Sequence, residues 1–140
     1  MNQTYIAWSD ASVRDGVGYI SYLILGEAEN IVAKYNARVN IQCNYTLEKV
    51  ALAHLLKEIN ERNIVRQSIV IYTDFKALPN HINNRGSQVY KQFESMLGHK
   101  VLEKYKKCVK CKSGKKNKAH TLSRENVLNW FDYNIAKIFL

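Results

Sequence analysis

Residues 69–73, Ile-Val-Ile-Tyr-Thr, constrain this chain more than any other stretch. They form an unbroken run of β-branched and aromatic side chains. Such a run suits a strand buried on both faces, and a strand of that kind belongs inside a sheet with helices packed against it. The run ends in an acid, Asp74. A second apolar stretch, Tyr5-Ile6-Ala7-Trp8, finishes the same way, at Ser9-Asp10. A carboxylate at the C-terminal end of a central strand lies on the rim where sheets of this type place their sites.

The rest of the chain fills in around these two strands. Gly16 and Gly18 mark a turn. Residues 19–25 and 31–39 read as two further strands; in the latter Lys34, Asn36 and Arg38 alternate with Ala33, Tyr35, Ala37 and Val39. Thr46 to Asn60 carries Leu47, Val50, Ala51, Leu55 and Ile59 at helical spacing, with Glu48 in the first turn, where the helix dipole favours a carboxylate. Phe75–Asn84 and Ser87–Gly98 read as helices. In residues 104–112 the lysines fall mainly on even positions, which reads as a strand with one lysine-coated face. Ala119 to Leu140 reads as a terminal helix carrying Leu122, Val127, Trp130, Phe131, Ile135 and Ile138. The order β-β-β-α-β-α-α-β-α predicts a single α/β domain over residues 1–140, with a mixed sheet flanked by helices.

If the first and fourth strands are neighbours, Asp10 and Asp74 lie side by side and the helix brings in Glu48. Three carboxylates that close repel one another unless cations hold them. Hard divalent ions such as Mg²⁺ take oxygen ligands and keep waters, so an open acidic cluster suits them. Two such ions about 3.5–4 Å apart serve phosphodiester hydrolysis. Each acid alone is a weak signal, since a lone Asp after a strand is more often a cap. The set in its order, strand-Asp, helix-Glu, strand-Asp, carries the argument.

With those residues in view the sequence resembles the type 1 ribonuclease H family. The matching segments are Tyr5-Ile6-Ala7-Trp8-Ser9-Asp10-Ala11-Ser12 with Gly16 and Gly18, Asn44-Tyr45-Thr46-Leu47-Glu48, Ile69-Val70-Ile71-Tyr72-Thr73-Asp74, and Asn117-Lys118-Ala119-His120-Thr121-Leu122-Ser123-Arg124. Integrase-type relatives on the same fold lack the helix glutamate, so Glu48 argues against them. The resemblance implies a five-stranded mixed sheet, three antiparallel meander strands followed by two parallel ones. It implies two Mg²⁺ or Mn²⁺ ions held by Asp10, Glu48 and Asp74, and cleavage of the RNA strand of an RNA–DNA hybrid. It also implies that Asn44 and the backbone near Ala11 and Ser12 touch the RNA strand, whose 2′-hydroxyls distinguish it from DNA.

The sequence departs from the family in several places. The fourth family carboxylate falls at His120. An imidazole prefers softer ions than Mg²⁺ and removes one negative charge. His120 is either a fourth ligand of a weaker Mg²⁺ enzyme, relatively better with Mn²⁺, or a surface residue on a retired site that only binds nucleic acid. Phe75 replaces a small polar residue, Ala11 replaces a glycine, and the Ser113–Lys116 loop has no histidine.

Charge supports a polyanionic partner. Residues 100–118 hold nine lysines against one acid, Glu103, so most of the formal net charge of +9 sits there. The basic handle insertion of some family members looks absent. Lys110, Lys112, Lys115 and Lys116 are the expected phosphate contacts, for positioning rather than sequence readout. A solvated surface or a guarded sheet edge explains part of the same stripe. The N-terminus lacks the basic-then-apolar pattern of a signal peptide and no window suits a membrane span, so a cytoplasmic monomer without an obligate protein partner is expected. Cys108-Val109-Lys110-Cys111 has no second ligand pair and is not read as a zinc site. His54 reads as a core or boundary residue, and His81 and His99 as surface residues.

Overall fold

The structure is a computed structural model, which describes residues 4–112 and 116–140, with the side chain of Arg124 left aside. A five-stranded sheet runs in the order β3-β2-β1-β4-β5. Its strands are β1 (Tyr5–Arg14), β2 (Val17–Leu25), β3 (Ile31–Val39), β4 (Ile69–Thr73) and β5 (Val109–Cys111). β1, β2 and β3 pair antiparallel; β4 joins β1 in parallel and β5 joins β4 in parallel. The expected mixed sheet is present.

Asp15-Gly16 connects β1 to β2, with φ of 51° and 76°. Two consecutive positive φ values make the tight hairpin whose twist matches its strands, and Asp-Gly is a favoured pair for it. α1 (Asn44–Glu61) lies across β1 and β2. Its Leu47, Val50, Leu52, Leu55, Leu56 and Ile59 are fully buried, each contributing about 1.5–3 kcal/mol relative to exposure. α2 (Leu78–Asn83), α3 (Gln88–Leu97) and α4 (His99–Tyr105) follow β4. Ser87 caps α3 by accepting a hydrogen bond from the Tyr90 N–H at 3.0 Å, and Gly98, at φ 87°, separates α3 from α4.

Four expectations need correction. β1 does not end at Asp10 but continues to Arg14, because β2 keeps pairing with it after β4 has stopped. α1 begins at Asn44, which puts Glu48 in its second turn, beyond the reach of a first-turn dipole argument. Residues 104–112 are not one strand. Leu102 and Tyr105 are fully buried at helical spacing, so α4 takes residues 99–105, a 3₁₀ turn takes 106–108, and β5 keeps three residues. Residues 119–140 are not one helix either. They contain a 3₁₀ turn at Leu122–Arg124, an extended stretch in which Trp130 bridges to Arg38 of β3, and a short α5 (Tyr133–Ala136) capped by Asp132. Among the described residues no helix is long and apolar enough to cross a membrane.

Candidate active site

The site arises from a mismatch in strand length. β1 and β4 pair from Tyr5 with Ile69 to Trp8 with Tyr72. β4 then ends at Thr73, while β1 runs on beside β2. Asp10 and Asp74 therefore follow the last paired residues by the same interval and face one notch in the sheet. Glu48 comes from above on α1. How closely α1 approaches is set by Gly18: a Cβ there would stand 2.3 Å from the Ile41 carbonyl oxygen and 2.8 Å from the Leu47 methyls. A side chain at this position of β2 would lift the N-terminal end of α1, and Glu48 with it.

One carboxylate oxygen from each of Asp10, Glu48 and Asp74 lies within 4.8 Å of the other two. Asp10 and Glu48 are each 1% exposed, and Asp74 is half-buried. Burial raises the Asp10 pKa to about 6, helped by the charge of Asp74 and opposed by the hydrogen bond from His120. Burial raises Glu48 to about 10, helped by Asp74 and Asp10 and opposed by the backbone N–H of Ala11. Glu48 Oε2 is buried with no hydrogen-bond partner. A buried acceptor without a partner inside a cluster of mutually repelling carboxylates is a fit for a hard divalent cation.

His120 Nδ1 lies 3.0 Å from Asp10 Oδ2. The imidazole is therefore at the site, against Asp10, but is not part of the three-carboxylate group. What holds it there is a network that sequence reading missed. Buried Asn117 donates to the Ser9 carbonyl at 2.7 Å and accepts from the Ala119 N–H at 2.9 Å. Ser21 donates to the Ala119 carbonyl at 2.9 Å, Asn36 to the Leu122 carbonyl at 3.1 Å, and Arg14 to the Ser123 carbonyl. Three strands thus pin the 117–123 segment across the sheet through its backbone. A signal was present in the sequence: Ser21 is a polar residue inside the apolar run 19–25, and a buried hydroxyl needs a partner; half-buried Asn36 stands opposite it in β3.

The remaining predicted residues are placed as follows. Ala11 is buried and offers its N–H to Glu48; Ser12 Oγ is buried without a partner. Asn44 is exposed at the start of α1. Lys112 donates its backbone N–H to the Thr73 carbonyl at 2.8 Å, and its ammonium lies over the rings of Tyr72 (4.8 Å) and Trp8 (5.3 Å). This fixes a cation beside the strand end that carries Asp74. Lys110 and Lys116 are exposed, and Lys115 lies outside the described residues. Phe75 stacks on Tyr45 at 4.5 Å, and the Tyr45 hydroxyl meets His81 Nδ1 at 2.6 Å, so His81 is a half-buried member of the cleft wall rather than a plain surface residue. His54 packs among Tyr22, Tyr35 and Phe131, where burial lowers its pKa to about 4; it is a core residue. Cys108 and Cys111 are free thiols.

No protein-family model matches the sequence, and no curated protein matches it. Solved structures do. The RNase H1 of the halophilic archaeon Halobacterium salinarum is 14% identical with a TM-score of 0.68, covering 87% of this chain and 96% of that one. LC11-RNase H1, solved in complex with an RNA/DNA hybrid, is 16% identical with a TM-score of 0.71, covering 89% and 96%. The N-terminal RNase H domain of a Mycobacterium tuberculosis protein is 10% identical with a TM-score of 0.70, covering 97% of both chains. The chain has the ribonuclease H-like fold. Two of these three structures are RNase H1 by name, in line with the motifs around Asp10, Glu48 and Asp74.

Proposed function

We propose that this protein is a metal-dependent endonuclease that hydrolyses the RNA strand of RNA–DNA hybrids. The observation that carries the reading is the cluster of Asp10, Glu48 and Asp74 within 4.8 Å, at the notch of a ribonuclease H-like sheet, with Glu48 Oε2 left without a partner. These three residues would hold two Mg²⁺ or Mn²⁺ ions, which supply charge neutralisation for water attack on phosphorus and for departure of the 3′-oxygen. Water adds to the phosphorus, the bond to the 3′-oxygen breaks, and the products carry a 5′-phosphate and a 3′-hydroxyl. His120 holds one oxygen of Asp10 and so fixes the direction in which that carboxylate presents the other. Lys112, set on its two rings, neutralises a phosphate next to the cut. Asn44 and the backbone at Ala11 and Ser12 face the RNA strand. The protein acts as a cytoplasmic monomer.

One observation favours a second reading. Because His120 engages Asp10 directly, the site also suits a retired enzyme that binds hybrid without cutting it. Cleavage of an end-labelled hybrid in Mg²⁺ and in Mn²⁺, with Asp10→Asn as control, decides. Cutting of the RNA strand that the variant loses supports the nuclease. Salt-sensitive binding with no cutting in either metal supports the second reading.

A further inference from the structure

β5 is one of the two edge strands of the sheet. Between it and α2 runs a groove of about 530 Å³, lined by Lys76, Lys107, Lys110, Asn80, Asn83 and Val109 among others. A second groove of about 650 Å³ continues from it, sharing Asn83 and Lys107 and adding Arg66 and Arg85. The wall between them is prebuilt, because Asn83 Nδ2 donates to the Pro79 carbonyl at 2.8 Å and to the Lys106 carbonyl at 3.0 Å, tying α2 to the turn before β5. The acid lining the second groove, Glu103, is already neutralised by Arg85 and by Lys106. Among the described residues Arg66, Lys76, Lys107 and Lys110 pair with no carboxylate, and all four are exposed.

We propose that these joined grooves form a phosphate track, which binds the sugar–phosphate backbone of one strand of the hybrid where it runs past the acidic cluster. The inference rests on the hybrid-cleavage reading for its starting point. Lys76 follows Asp74 closely in sequence, and Cys111 pairs with Thr73, so the first groove opens beside the site. From there the cations lead along the edge strand, at about 3.3 Å per strand residue, to Arg66 at the opposite end of β4. Nucleic acid fits this lining better than a peptide strand does. Most of the lining side chains are ammonium, guanidinium and amide groups, which bind phosphate oxygens, and only Pro79, Val109 and Cys111 of the first groove are not. A peptide adding to the β5 edge needs apolar side-chain pockets, and lysines on an edge strand oppose such pairing.

The test uses the full chain carrying Asp10→Asn, so that binding is read without cutting. A track variant, Arg66→Gln with Lys76→Gln and Lys107→Gln, is compared with a control of equal charge loss, Lys57→Gln with Lys91→Gln and Lys137→Gln, all exposed and away from the grooves. Fluorescence anisotropy measures binding of a long hybrid and of a short one that ends at the cluster, over a range of salt. Each phosphate contact contributes roughly 0.7–0.9 to the slope of log K against log salt, so the track variant is expected to lose about 2–3 from the slope and about tenfold or more in affinity on the long hybrid. The control loses far less, and the two variants converge on the short hybrid. Equal losses for track and control, or equal losses on short and long hybrids, overturn the track. Failure of the nuclease reading shows separately, as absence of cutting by the protein with Asp10 intact, and the anisotropy comparison still decides the track.

Discussion

Replacing Glu48 by Gln should stabilise the metal-free protein while removing metal binding. Glu48 has an ordinary value of 4.5 and a folded value of about 10. Between pH 4.5 and 7 the folded chain keeps a proton that the unfolded chain has released. The folded state binds more protons there, so stability falls as pH rises, by about 1.36 kcal/mol per pH unit, or roughly 3 kcal/mol by pH 7. Gln is neutral, has nearly the same shape, and keeps an acceptor for the Ala11 N–H. The variant avoids most of that loss and should gain about 1–3 kcal/mol at pH 7, or roughly 3–10 °C in Tm for a chain of this size. The gain vanishes below pH 4.5, where Glu48 is protonated in both states. His54, whose folded value of about 4 lies below its ordinary 6.5, makes stability rise with pH in the same region; it is common to both proteins and cancels in their difference. Thermal and urea melts in EDTA at pH 4.5, 6 and 7 measure that difference. Millimolar Mn²⁺ should reverse the order, because the wild type gains about 2.7 kcal/mol when metal is at a hundred times its Kd and the variant gains less. Parallel melting of the two proteins from pH 4.5 to 7 without metal would refute the reasoning, since it would mean that Glu48 is not held in a repelling, buried cluster.

His120→Asp places a fourth carboxylate against Asp10. Cleavage in Mg²⁺ should rise relative to Mn²⁺, and the metal-free protein should lose about 1–2 kcal/mol at pH 7 from like-charge repulsion, read by the metal ratio of kcat and by melts in EDTA. Asn117→Ala removes the buried hydrogen bonds to the Ser9 carbonyl and the Ala119 N–H. It should cost about 2–3 kcal/mol and lower cleavage well below the melting point, which activity assayed far under Tm detects. Gly18→Ala forces a Cβ against the Ile41 backbone oxygen; a loss of about 2–3 kcal/mol or more is expected, checked by urea melts, together with weaker Mn²⁺ binding as α1 is displaced.

The first half of the chain was legible because its pattern and its packing agree. Ile69–Thr73 is a strand with the bounds read from its composition, and residues 31–39 likewise. The three acids could be grouped because each lies in or just after a locally patterned element, Asp10 in β1, Glu48 on α1 and Asp74 directly after β4. The later part failed for physical reasons. In residues 104–112 the alternation of lysines did not follow burial, since Lys106 is buried against Glu103, and Leu102, which enters the core with Tyr105, lies outside that window. In residues 119–140 the buried set is Ala119, Leu122, Ser123, Val127, Phe131, Ala136 and Phe139, while Leu128, Trp130 and Tyr133 are exposed. The intervals between those buried residues are too irregular for one helical face. They come from a segment that crosses the sheet, passes its β3 edge and returns to the helical side, where Phe139 meets Phe93 at 5.2 Å. Hydrogen bonds to distant strands fix that path, and no window of the sequence contains them. The placement of His120 depends on the same distant bonds.

The bridge between Trp130 and Arg38 has a consequence for the chain while it is being made. The backbone N–H of Arg38 donates to the Asn129 carbonyl and the N–H of Phe131 to the Arg38 carbonyl, both at 2.8 Å, while the Arg38 side chain reaches a carbonyl 90 residues away in the sequence. A ribosome working at about 5–20 residues per second leaves roughly 5–20 seconds between the emergence of β3 and the arrival of its cover. Throughout that interval a nine-residue strand presents an open edge to any neighbouring chain. Its exposed Lys34 is a guard suited to that interval, and the late-synthesised segment then closes the edge at Arg38.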